Sequence, residues 1–180
     1  LLPGARLDQV CAGLSLIKGS DLSGASMANI GLELAQLKEL NLNQARMPGA
    51  RLSGSLLTQL MLRGADLSGA DLTVSVLNWS DLSGADLSGA ILDDTVILEV
   101  YAPGVSLAGI LSENAEMLGC ILRQADLRKA SFQGGHLERV DLRGADLRQA
   151  QIVNSIFIKV DLRGANLSGS MLSAVTFKDV

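Results

Sequence analysis

One residue position in every five is large and apolar, and that beat runs from one end of the chain to the other without losing step. Taking every fifth position from Leu2, 33 of 36 places hold Leu, Ile, Met or Phe, the exceptions being Ala12, Ala102 and Ser112. Two residues before each of these centres the side chain is nearly always small, and Ala fills 15 of those places. Two residues after a centre stand 16 of the 19 glycines, as at Gly24, Gly64, Gly84 and Gly144. Neither the 3.6-residue repeat of a helix nor the two-residue alternation of a strand produces a period of five. A short extended step closed by a tight turn does. Glycine supplies the positive φ required at the third residue of a type II turn, while the small and large residues point inward and the other three face water.

A longer period fixes how many units make one circuit. At positions 5, 25, 45 and onward to 165, eight of nine residues are Ala, with Val105 the exception. At positions 20, 40, 60 and onward to 180 none is Ala. Residues twenty apart are therefore equivalent, and four pentapeptides close one square coil. The sequence predicts an all-β solenoid of nine coils with little or no helix, a single domain over residues 1–180. At a strand spacing of ~4.8 Å the rod is roughly 40 Å long. Composition agrees: 48% of residues are hydrophobic but only 3% aromatic, which suits many small alike layers better than one varied core.

Units such as Ala65-Asp66-Leu67-Ser68-Gly69 and Ala85-Asp86-Leu87-Ser88-Gly89 resemble the A(D/N)LxG consensus of the pentapeptide-repeat family, and the likeness covers essentially the whole chain. The resemblance implies a right-handed quadrilateral β-helix. It also implies a cyanobacterial setting, and it extends to repeat domains of cyanobacterial membrane proteins such as the one that localises heterocyst glycolipids. The best-described members of that family bind DNA gyrase as mimics of DNA.

Where the pattern is broken, neighbours compensate. Each undersized centre follows an enlarged small-site residue: Val10 before Ala12, Val100 before Ala102, Ile110 before Ser112. Nearly constant interior packing density then predicts no large void at these places. Ile30, Leu40 and Leu60 are oversized beside full-sized centres.

Catalytic constellations are not visible. The single histidine, His136, precedes a centre and points outward, and metal sites need three or four convergent ligands. Cys11 faces out and Cys120 faces in, about five coils apart, too far for a disulfide. No phosphate loop and no nucleophile set occurs, so no catalytic residue, cofactor or metal is assigned, and a carboxylate pair such as Asp93-Asp94 stands on a convex wall. No apolar run reaches the ~20 residues of a membrane span. The opening Leu1-Leu2-Pro3, already in step with the repeat, reads as part of a longer protein, whose other segments could carry a span. Localisation stays open between cytoplasm and membrane surface.

Two surface features remain. Residues 64–119 hold nine acidic side chains and no basic one, whereas residues 120–165 hold eight basic and five acidic. The acids are spread round a belt rather than lined along the rod, which weighs against a DNA-like strip and, with a net charge of −4, against direct nucleic-acid binding. The second feature is outward apolar residues on the fourth face. Leu16, Leu56, Val76, Val96 and Ile156 precede its centres, and Leu98, Leu118 and Ile158 follow them, with Trp79 and Val74 at its two corners. Contiguous apolar patches mark interfaces, and Trp is enriched at their hot spots. The sequence thus points to a non-catalytic protein-interaction or spacer domain, binding a protein partner or a second copy. Capture of a type II topoisomerase by a DNA-like surface is the alternative.

Overall fold

In 11 units an Asp or Asn stands just before the inward centre, and its Oδ1 accepts a hydrogen bond from the backbone N–H just after it, as Asp66 does from Ser68 at 3.0 Å and Asp86 from Ser88 at 2.8 Å. The carboxylate spans the start of the turn, an arrangement that short Asx side chains favour. All 11 units are hydrogen-bonded turns, with the small residue donating back to the centre's carbonyl, for example Ala70 N–H to Leu67 O at 3.0 Å in the Asp66 unit. Where Leu, Val, Ile, Thr or another non-Asx residue occupies that place, a second state opens: a three-residue strand. Thirteen units adopt it.

These alternatives are distributed by face. In the computed structural model, which describes residues 2–180 and leaves Leu1 outside, the chain winds as a four-sided β-solenoid with no helix. The fourth face is strand throughout: β1 (Leu16–Lys18), β2 (Gln36–Lys38), β3 (Leu56–Thr58), β4 (Val76–Asn78), β5 (Val96–Leu98), β7 (Glu116–Leu118), β9 (His136–Glu138), β11 (Ile156–Ile158) and β13 (Thr176–Lys178) form one nine-stranded parallel sheet. The third face becomes strand only in the later coils, where β6 (Leu111–Glu113), β8 (Ser131–Gln133), β10 (Gln151–Val153) and β12 (Met171–Ser173) make a four-stranded parallel sheet. The first two faces are turns stacked through single bridges such as Asp21↔Asn41 and Asp66↔Asp86. Every pairing joins residues twenty apart, so the predicted circuit of four units is the observed one.

The core is a column of leucines filling the coil interiors, each layer closed by alanines at the small sites; Leu52, Leu72, Leu92, Leu127, Ala70 and Ala90 are fully buried. Two inward hydroxyls pair with backbone one coil back, Ser55 Oγ donating to Leu32 O at 2.6 Å and Thr95 Oγ1 to Leu72 O at 2.7 Å, whereas the buried hydroxyls of Ser75 and Ser112 have no hydrogen-bond partner. Near the C-terminal end Phe157 and Phe177 meet edge to face, ring centroids 5.4 Å apart.

The compensated centres divide. Around Ala102, with Val100 and Val105 beside it, the cavity is about 20 Å³, space for a single water at most, as expected. Around Ala12 a cavity of about 90 Å³ remains, because Val10 alone does not replace the missing centre. Ile30 and Leu40, one coil on, line that same cavity, so their extra bulk partly fills what Ala12 leaves open. Nothing in the structure explains Leu60.

Candidate interaction face

The residues before and after each centre of the fourth face point outward, and parallel pairing without a register shift stacks them into columns. Leu56 pairs with Val76 and Val76 with Val96, making an unbroken apolar column across three coils. Leu98 pairs with Leu118 beside it. Leu56 is exposed, while Val76, Val96, Leu98 and Leu118 are half-buried by each other and by their neighbours. Beyond these residues the columns turn polar: Val96 is followed by Glu116 and His136, and Leu118 by Glu138. Ile156 and Ile158 therefore stand apart, separated from the main patch by these side chains. Leu16 is likewise cut off, by Gln36. His136 does face outward, but it is half-buried, and its Nε2 lies 4.0 Å from a Glu138 carboxylate oxygen with no hydrogen-bond partner.

Corner geometry sharpens the picture. All 36 units place a positive φ two residues past the centre, at 16 glycines and 20 other residues. Val74 (φ 58°) and Trp79 (φ 49°) are two of the twenty, and both are 60% exposed. They bracket the same strand, β4, from opposite corners. A β-branched residue in left-handed backbone is a strained choice where glycine is available. Sequence reasoning missed Leu14 and Leu34, which hold the same corner in the first two coils and are also largely exposed. Leu34 lies over Gly54, so close that a Cβ there would meet its Cδ2 at 2.6 Å. The available signal was an apolar residue at the position glycine usually takes. With Leu34 and Val74 the patch gains a wall on the side toward the third face.

Electrostatics differ sharply along the rod. Beyond residue 120, aspartates are clamped by arginines of their own turn: Arg128 to Asp126, Arg148 to Asp146 and Arg163 to Asp161 each at 2.6 Å. Asp141 receives both Arg143 at 2.8 Å and Arg123 at 2.6 Å, which hold its carboxyl well below the usual carboxylate range. In the belt of residues 64–119 only Asp81 has an ion-pair partner, Arg63 at 2.7 Å; the other eight acids have none among the described residues. Together with Asp81 on the first face they occupy all four faces, with Asp94, Glu99 and Glu116 next to the apolar patch. Among the described residues no group of three or more His, Cys, Asp or Glu could share a metal ion.

With the geometry in view, comparison with known proteins is decisive on one point. The family model for pentapeptide repeats matches eight copies, over residues 17–97 and 113–179 in overlapping segments. The chain belongs to the pentapeptide-repeat family. Solved pentapeptide-repeat proteins similar to it include HetL of the cyanobacterium Nostoc, a protein involved in heterocyst differentiation regulation, at 24% identity and TM-score 0.42, covering 98% of this chain and 88% of that one. QnrB1, a plasmid-mediated fluoroquinolone resistance protein, is 17% identical, TM-score 0.38, covering 91% of each chain. Rfr23 of the cyanobacterium Cyanothece is 17% identical, TM-score 0.30, covering 97% of this chain and 88% of its own. No curated protein matches the sequence. The matching family is one of repeats.

Proposed function

We propose that this pentapeptide-repeat chain is a non-catalytic, rigid protein-interaction module that engages a partner through the fourth face of the solenoid. The observation that supports it most is the apolar patch of Leu56, Val76, Val96, Leu98 and Leu118, bracketed at its corners by Val74 and Trp79 in strained backbone. Of the twenty non-glycine corners Val74 is the one with a β-branched side chain, the type left-handed backbone tolerates least, which favours a role at the surface over one in folding. A partner covering the patch would bury surface that water now wets.

The reading is non-catalytic because the coil interiors are filled with leucine and the surface grooves hold no matched acid, base and nucleophile. DNA mimicry is disfavoured by the placement of the carboxylates, which circle the rod instead of following two parallel lines along it.

The test is affinity capture from a lysate of the source cells with wild type beside a Val76→Asp, Trp79→Ala double variant. A protein retained by wild type and lost from the variant supports the fourth face as the binding surface. Identical captures from both would overturn it. A gyrase supercoiling assay separates the competing reading: no effect at low micromolar protein is expected, and modulation would put DNA mimicry first.

A further inference from the structure

We infer that the occupant of the fourth-face patch is a short cationic amphipathic helix of a partner protein, about three turns long; this rests on the interaction reading above and specifies its chemistry.

Hydrogen bonding decides the form of the partner. Each backbone N–H and C=O along the fourth face is directed up or down the rod into the adjacent coil, as Val76 N–H is to Ser55 O at 2.9 Å and Val96 N–H to Ser75 O at 3.0 Å. The face therefore has no free main-chain groups for an added strand, and strand pairing is possible only at the rod's ends. A segment laid on this face must satisfy its own backbone, which a helix does internally.

Size sets the length. The patch covers coils three to six, on the order of 20 Å along the rod by ~15 Å across at strand and residue spacing. That footprint of roughly 300 Å² falls well short of the ~800 Å² per partner of a stable protein–protein interface, which argues against two rods joined face to face. It fits one side of a short helix. Leu56, Val76 and Val96 repeat at ~4.8 Å along the rod, and helix side chains on one stripe repeat at ~5.4 Å per turn. The two spacings stay within about 2 Å of each other over three turns and then drift out of step.

Charge sets the chemistry. No basic residue lies between positions 64 and 119, and Asp94, Glu99 and Glu116 at the edge of the patch have no ion-pair partner. In the next coils Asp126, Asp141, Asp146 and Asp161 are each clamped by the arginine of their own turn. Asp94 accepts only a neutral hydrogen bond, from Asn114 Nδ2 at 3.3 Å, and carboxylates without a cationic partner beside an apolar strip match lysines and arginines flanking an apolar helical stripe.

The sole tryptophan, Trp79, is a reporter built into the site. Two capped peptides of about 14 residues, a Leu/Lys helix and a Leu/Glu helix with leucines at the same positions, are titrated against the full chain. The Leu/Lys peptide is expected to move Trp79 emission to shorter wavelength, the more strongly at low salt, and the Leu/Glu peptide to leave it unchanged. Two variants, each verified as folded by its melting curve, locate the site: Val96→Ser with Leu98→Ser, and Asp94→Asn with Glu99→Gln and Glu116→Gln. Each is expected to weaken binding at least about tenfold, ~1.4 kcal/mol. Equal binding of both peptides overturns the cationic assignment while leaving the patch a protein-binding surface. Undiminished binding to the Val96→Ser, Leu98→Ser variant assigns the effect to the acidic belt at large and overturns the proposal. So does an unmoved emission with both peptides, whatever the capture experiment yields.

Discussion

Cys11 and Cys120 are the same residue with opposite chemistry, and the place each holds in its five-residue unit makes the difference. Cys11 precedes a centre and is exposed; Cys120 fills a small site, is buried, and contacts Ile97 O at 3.5 Å. Burial pushes the Cys120 thiol up to about 11, so little thiolate forms at neutral pH. In the native protein a thiol reagent should therefore modify Cys11 alone, with the second equivalent reacting only after denaturation, as read by absorbance or mass. A similar residue-level argument gives an acid dependence. Asp141, held low by Arg143 and then Arg123, is depressed in the folded chain relative to the unfolded one. Its contribution is complete above the unfolded value near 4 and is lost as pH falls toward the folded value. Melting temperature should be flat from about pH 7 to 5 and drop below about 4, and Asp141→Asn should soften that drop. Which cysteine is buried could be read from the sequence, because phase alone decides it. The double arginine clamp could not: Arg123 reaches Asp141 across the coil boundary, a matter of rotamer rather than spacing.

At the scale of the five-residue element, the choice is between turn and strand. An Asp or Asn before the centre always goes with the turn, and in its absence either state occurs, as at Met61 and Tyr101, where turns form without it. The sequence therefore predicts stacked units and inward positions with confidence in phase, but not that the third face changes from turns to strands at β6. Corner residues show the same limit. Sixteen glycines announced the positive φ; the twenty other corners share it because coil stacking imposes the backbone whatever the side chain. Val74→Gly tests this directly. Relief of left-handed strain, worth ~1–2 kcal/mol, outweighs the added freedom of the unfolded chain, so thermal denaturation should show a net gain of up to about 1 kcal/mol. The same variant should lose affinity for whatever the fourth face binds. A stabilising substitution that weakens binding would mark Val74 as a residue held for its surface.

For the whole molecule, each coil touches only the coils above and below, and stability is close to a sum of coil terms and interfaces. Interior layers are sealed on both sides, whereas Leu172 and Phe177 in the last described coil stay more than 40% exposed. Leu77→Ala, at a fully enclosed centre between Leu57 and Ile97, should cost roughly 2–5 kcal/mol by denaturant titration. Leu172→Ala, half in water already, should cost about 1 kcal/mol or less.

Because the main-chain bonds of the fourth face run along the rod from coil to coil, the axis of the solenoid is also the direction in which it is held together. A tension applied between the two ends would load those bonds a few at a time at the outermost coil instead of shearing them all at once. The molecule would peel, each coil paying out a length of some 60–70 Å of extended chain before the next gave way. A structure that is stiff against bending and crushing would be yielding when pulled, a spacer that keeps its length under compression and lengthens stepwise under load.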